Sequence, residues 1–256
     1  MKKTIVIKVG SAVLTQDGEL ALARLKNLVE FIVKLKDKYN VILVSSGAVA
    51  AGYTLLKLDK NLIANKQALA SIGQPLLLDT YRKKFSQYNI ICSQVLLEAS
   101  LFNDKERLNH AKDAINVLLK NNVIPIINEN DVTAVAELVF GDNDQLSAHI
   151  SYHFDSSLLV ILTDIDGYYD DNPHINKDAK LQKYINSISK EELEAQPTSN
   201  TQFATGGIVT KLKAADFLMK KGKEMFLTSG FDLKYISSYL LEDKYLKGTI
   251  FKGNDV

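Results

Sequence analysis

The sequence is 256 residues long, enough for one large α/β domain with a well-buried core. Hydrophobic residues at 46% and charged residues at 24% match an ordinary globular protein and exclude a disordered or fibrous chain. Lys plus Arg total 31 against 30 Asp plus Glu, which excludes the broad basic field that drives binding to nucleic acid or anionic membrane, so any phosphate site must be local.

Met1-Lys2-Lys3 leads into a first apolar run at residues 4–9, too short for a signal-peptide core and interrupted by Lys8, so it reads as a strand. A lysine near the end of an apolar strand is costly to bury without an anionic partner, and a transferring phosphoryl group is such a partner. The alternative is a lysine that snorkels to the surface. Gly10-Ser11 follow, then a segment of helical period at residues 22–35 and a second strand at 41–45 followed by Ser46-Gly47. Each Gly-Ser pair sets a residue without Cβ beside backbone N–H groups, the geometry that cradles phosphate or carboxylate oxygens. An ordinary strand-to-helix turn uses the same residues.

A third strand is expected at 90–96, with Cys92, the sole cysteine, inside it. One cysteine excludes an intrachain disulfide and fits a reducing compartment such as the cytoplasm. A helix at 109–119 and a strand at 123–127 come next, followed by Asn128-Glu129-Asn130-Asp131. A hairpin is expected over 134–140, then Gly141-Asp142-Asn143-Asp144 and a helix beginning near Gln145. A helix cap explains one of these acidic and amide residues; a functional cluster explains them together. His149 and His153 are spaced i, i+4, yet no Glu follows His149 and no third ligand is evident, so no metal site is expected. The last clear strand, 158–162, is followed by Thr163-Asp164.

Residues 166–200 are polar and weakly periodic, a pattern of surface loops with a short helix. Then Thr205-Gly206-Gly207-Ile208-Val209-Thr210-Lys211 sets two glycines at the start of a helix over 209–219, where the positive dipole end attracts anions. A glycine-rich cap with a solvated lysine is the plain alternative. Neither G-x-x-x-x-G-K-[ST] nor G-x-G-x-x-G occurs. No run of about 18 apolar residues is present, so no membrane-spanning helix is expected. Alternating strands and helices, with strands apolar on consecutive positions, indicate βαβ units in a three-layer α/β sandwich around a mainly parallel sheet. In such sheets ligands bind beyond the carboxyl ends of the strands, where the polar residues just named converge.

Those residues carry a resemblance. Ile7-Lys8-Val9-Gly10-Ser11, Val44-Ser45-Ser46-Gly47-Ala48-Val49-Ala50-Ala51-Gly52, Ile127-Asn128-Glu129-Asn130-Asp131-Val132, Gly141-Asp142-Asn143-Asp144, Leu162-Thr163-Asp164 and Thr205-Gly206-Gly207 to Lys211 resemble the amino-acid-kinase family, over nearly the whole chain. The pairing of Asn128 to Asp131 with Gly141 to Asp144 looks most like the glutamate-phosphorylating branch, more than the uridylate, carbamate, aspartate or acetylglutamate branches.

The resemblance implies ATP-dependent phosphorylation of the side-chain carboxylate of L-glutamate to glutamyl 5-phosphate, with Mg2+, as the first step of proline synthesis. It assigns Lys8 and Lys211 to the transferring phosphoryl group and Asp144 to holding them. Gly10, Ser11 and Gly47 cradle phosphate through the backbone, and Ser46, Asp131 and Asn143 bind glutamate. Thr163, Asp164, Thr205, Gly206, Gly207, Ile208, Val209, Thr210 and Lys211, with Lys8, form the nucleotide site. A single domain is implied, with substrate bound by about residues 1–150 and nucleotide by about 151–256. Proline as a feedback inhibitor, a homo-oligomer and glutamyl phosphate reductase as a functional partner follow from the same resemblance. Many members of that branch carry a C-terminal RNA-modification-type (PUA) domain, and the expectation here is a form lacking it. A sister kinase for acetylglutamate or a nucleoside monophosphate is the competing enzyme, and a silent amino-acid sensor the non-enzyme; both lysines and Asp144 argue against the sensor.

Overall fold

The computed structural model describes residues 2–134, 143–171, 176–194 and 207–253. In chain order its strands are β1 (Lys3–Val9), β2 (Thr15–Gln16), β3 (Glu19–Leu20), β4 (Tyr39–Ser45) and β5 (Cys92–Leu97). They continue with β6 (Ile124–Glu129), β7 (Leu158–Thr163), β8 (Tyr184–Ile185), β9 (Met225–Ser229) and β10 (Thr249–Phe251). The helices are α1 (Ser11–Leu14), α2 (Leu22–Leu35), α3 (Ala48–Leu55), α4 (Ile63–Ser86) and α5 (Lys105–Lys120). After them come α6 (Asp144–His153), α7 (Lys190–Glu194), α8 (Gly207–Met219) and α9 (Lys234–Glu242).

Consecutive apolar positions in β1 predict a strand covered on both faces, and Ile5 to Val9 are all buried. β1 pairs in parallel with β4 on one side and β7 on the other. The eight-stranded sheet runs β5-β6-β4-β1-β7-β9-β10-β8, and β9 with β10 is its antiparallel pair. The order reverses at β1: earlier chain builds outward through β4, β6 and β5, and later chain builds the opposite side from β7. A crevice opens at the carboxyl ends of strands on either side of such a switch.

Two apolar layers flank the sheet. Ile5, Ile7 and Val9 face the one containing Leu28 and Ile32 of α2, Tyr81 and Phe85 of α4, and Ile236 of α9. Val6 faces the other, built with Ile115 of α5, Ile150 of α6 and Leu212 and Leu218 of α8. Strand alternation therefore turns Lys8 toward α6 and α8. The expected three-layer sandwich is the observed architecture.

The helix expected at 22–35 has those bounds, and the five expected strands appear with ends moved by up to two residues. β6 continues through Glu129, so Asn128 and Glu129 belong to the strand and not to the loop after it. α4 contains Pro75 and crosses α3 backbone to backbone. A Cβ added to Gly73 would meet Ala48 O at 1.8 Å, and one added to Gly52 would meet Leu69 O at 1.9 Å, so both positions require glycine. The described part of the polar stretch after Asp166, residues 166–171 and 176–194, forms loops and α7 as expected, and also supplies β8 to the sheet edge. Of the hairpin expected over 134–140, residues 135–140 lie outside the described residues.

Candidate active site

Parallel pairing sets Ser45, Val9 and Leu162 side by side, so Ser46, Gly10 and Thr163 form one edge where β4, β1 and β7 end. Lys8, one residue inside that edge, is 2% exposed. Its Nζ lies 2.6 Å from Oδ1 of Asp144, the fully buried first residue of α6. The other carboxylate oxygen, Oδ2, lies 3.1 Å from Nζ of Lys211, on α8 and 7% exposed. Thr210 Oγ1 donates to the same Oδ2 at 3.1 Å, Lys211 Nζ donates to Gly207 O at 2.9 Å, and Gln145 Nε2 donates to Thr210 O at 3.2 Å. One carboxylate thus holds an ammonium group from the strand at the switch and another from a helix of the later half of the chain. Ions this buried are retained only where charge is matched and hydrogen-bonded, which suits a phosphoryl group better than a structural core.

Beside the bridge runs a neutral polar strip. Asn143 Nδ2 donates to Ser46 Oγ at 3.1 Å and to Asn128 Oδ1 at 2.8 Å, and Asn128 Nδ2 donates to Gln74 Oε1 at 2.9 Å. Asn143 is fully buried, and its Oδ1 has no hydrogen-bond partner among the described residues. Such an orphan acceptor costs about 1–3 kcal/mol unless a ligand supplies a donor. Asp131 is also buried; desolvation and the neighbouring Glu129 push its carboxyl up to about 7. Ser46, Asn128 and Asp131 line a cavity of about 330 Å³ together with Ser11, Lys60 and Lys66.

The two glycine turns differ. Gly47 has φ 110°, a left-handed conformation that a side chain would strain, and it starts α3. Gly10, expected to offer its N–H to phosphate, already donates that N–H to Leu162 O at 2.9 Å. A Cβ at Gly10 would stand 3.5 Å from Leu162 O and 3.8 Å from Lys8 Nζ, ordinary contacts that do not by themselves require glycine. Thr163 is buried at the end of β7 and donates from Oγ1 to Oδ1 of the exposed Asp164 at 2.9 Å. Ile208, Val209 and Thr210 follow Gly207 at the start of α8. Thr205, Gly206, Gly141 and Asp142 lie outside the described residues.

Sequence reasoning missed three contributors. Gln74 is hidden in α4, and its partner Asn128 is 54 residues away. Lys60 and Lys66 were not singled out in the sequence, yet both line the cavity; Lys60 Nζ lies 3.5 Å from the centroid of the Tyr53 ring. Burial and then the charge of Lys57 lower the Lys60 pKa. His149 and His153 stack on Phe102 at 4.9 and 5.2 Å, which is packing. Among the described residues no group of three His, Cys, Asp or Glu is placed to hold a metal ion, and no helix is long and apolar enough to cross a membrane.

Residues 3–229 match the model of the amino acid kinase family. A glutamate 5-kinase of Wolinella succinogenes is 52% identical over 254 residues, 97% of each chain. A glutamate 5-kinase of Leishmania donovani is 50% identical over 249 residues, 97% of this chain and 95% of that one. Among solved structures, carbamate kinase from Giardia lamblia bound to AMP-PNP superposes with a TM-score of 0.66 over 99% of both chains at 17% identity, a likeness of fold.

Proposed function

The chain belongs to the amino acid kinase family, and we propose that it transfers the γ-phosphoryl group of ATP to the side-chain carboxylate of free L-glutamate, giving glutamyl 5-phosphate and ADP. The buried Lys8–Asp144–Lys211 bridge, next to an Asn143 amide that is hydrogen-bonded to Ser46 and Asn128 on the wall of the cavity holding Asp131, carries this reading. The names of the relatives at 52% and 50% identity support the substrate.

A glutamate side chain, with an ordinary pKa of about 4.3, is already ionised at neutral pH, so the reaction needs no general base. The obstacle is repulsion between carboxylate and triphosphate. Lys8 and Lys211 offset the charge on the phosphoryl group in flight, and Asp144 keeps both ammonium groups on its path. Gly47 and Ser11 offer backbone at the pocket wall. Ser46, Asn143 and Asp131 bind the amino-acid end, with Asp131 and Asn143 Oδ1 taking its ammonium. Thr163, Asp164, Thr205, Gly206, Gly207, Ile208, Val209, Thr210 and Lys211 receive the nucleotide, a division supported by the reversal of strand order at β1. Magnesium would arrive on the phosphates of ATP and offset their charge, as is general in phosphoryl transfer.

Asp131 also separates this substrate from its competitors. N-acetylation removes the ammonium that the carboxylate would pair with, and a nucleoside monophosphate would bring like charge to it. The same reading makes the reaction the first step of proline synthesis in the cytoplasm, by a homo-oligomer whose unstable acyl phosphate passes to glutamyl phosphate reductase. ADP release measured with glutamate, acetylglutamate and UMP tests the proposal: release above background with glutamate alone is expected. Equal release without glutamate, or preference for either other acceptor, would overturn it.

A further inference from the structure

Gln74 stands mid-helix in α4, 8% exposed, between the glycine that packs on α3 and Pro75. Its backbone is therefore held by the α3 crossing. The strip it begins has a direction, because an amide has one accepting and one donating end. Gln74 Oε1 accepts from Asn128 Nδ2, which leaves Asn128 Oδ1 to accept from Asn143 Nδ2. With its other proton on Ser46 Oγ, the Asn143 amide nitrogen is fully used, and the buried Oδ1 is its remaining end. Reversing the first amide would reverse the second and third, and Asn143 would then offer N–H where it now offers oxygen.

We propose that Gln74 is a positioning residue that sets the amide polarity of Asn128 and Asn143 and so holds an acceptor ready for the substrate's ammonium. Its catalytic consequence rests on the glutamate reading; the polarity itself does not. Gln74→Met keeps the size and removes the acceptor, whereas Gln74→Glu keeps an acceptor in either protonation state. For Gln74→Met the glutamate KM is expected to rise about tenfold or more, as for loss of a charge-assisted hydrogen bond, with kcat and the ATP KM moving less than about threefold. Gln74→Glu is expected to restore the glutamate KM to within about threefold of the unchanged protein.

A second readout needs no activity. The side-chain amide protons of Asn143 and Asn128, followed by 15N NMR on the ligand-free protein, should exchange slowly in the unchanged protein and in Gln74→Glu, and lose that protection in Gln74→Met. An unaltered KM and amide spectrum in Gln74→Met, equal damage from Met and Glu, or parallel losses in kcat and ATP KM would each overturn the inference. Should glutamate not be phosphorylated at all, the reaction reading fails, and the amide spectra still decide the role of Gln74. Should Gln74→Met not fold, fast exchange of these protons in the unchanged protein would overturn the inference and slow exchange would support it.

Discussion

The charged bridge and the neutral strip lie side by side, yet they solve opposite problems. At the bridge one carboxylate locks two lysines, and every donor named there points at Asp144 or a helix carbonyl. At the strip each amide satisfies the next until the last acceptor is left over. Strong fixed charge suits an effect felt when phosphoryl charge moves, because rigid dipoles and ions need not reorganise during the reaction. An orphan acceptor suits ground-state recognition, since its cost is recovered when a donor arrives. The two regions should therefore separate in kinetics, the bridge in kcat and the strip in the glutamate KM.

The bridge offers the sharpest way to break that contrast. Lys8→Ala and Lys211→Ala are each expected to lower kcat by roughly a thousandfold, in line with cationic stabilisers of phosphoryl transfer, with little change in the glutamate KM. Steady-state ADP release checks this. A loss of tenfold or less in both would make these lysines structural counter-ions of Asp144. Asp144→Asn should act on kcat in the same direction, because it removes the charge that now places two ammonium groups.

Which parts were legible beforehand follows the same division. Lys8, Ser46, Asp131, Asn143, Asp144 and Lys211 each lie at or beside the end of an apolar run or at a helix start, and a parallel sheet brings such ends together. The bridge was therefore readable in outline. Gln74 was not, because it sits on a buried helical stripe filled by Leu69, Ala70, Gly73, Leu77, Tyr81 and Phe85, while Leu76 and Leu78 lie off it and blur the period. Its meaning comes from Asn128, a contact made only when α4 packs over the end of β6. β9, β10 and α9 were missed for a related reason: five- and three-residue strands at the far side of the sheet give a short apolar signal that tertiary pairing alone makes decisive. The committed N–H of Gly10 was equally invisible, since a glycine's sequence position does not say whether its amide is taken.

On the strip side, Asp131→Ala should weaken glutamate binding by roughly ten- to a hundred-and-fifty-fold, the range of a lost charge-assisted hydrogen bond, and leave ATP affinity nearly unchanged. Titration calorimetry with each ligand decides it; lost nucleotide binding with intact glutamate binding would reverse the assignment of the two sites. Proline carries the same α-carboxylate beside a cationic nitrogen but lacks the side-chain carboxylate. It should therefore occupy the strip without a nucleophile, and raising glutamate should relieve its inhibition fully. A proline effect confined to kcat would place its site elsewhere.

The smallest expected effect is the most diagnostic of the pocket. Burial first, and then Glu129, raise the Asp131 carboxyl from 3.8 to about 7, so in the ligand-free protein it is neutral below that pH and charged above it. An ammonium ligand favours the charged form, so affinity for glutamate should rise with pH through about 7 and level off beyond it, by at most about tenfold per unit on the acid side. Between about 4 and 7 the folded state holds a proton that the unfolded state has released. The contribution of this group to stability therefore falls as pH rises through that window, and bound glutamate should oppose the fall by expelling the proton. Calorimetry at pH 6 in two buffers of different ionisation enthalpy should report about one proton released per glutamate bound, declining toward none at pH 8.5, and Asp131→Asn should abolish the release. A glutamate affinity that is flat from pH 5.5 to 8, with no proton released, would mean that Asp131 is already charged and that the strip recognises its ligand without the local desolvation seen here.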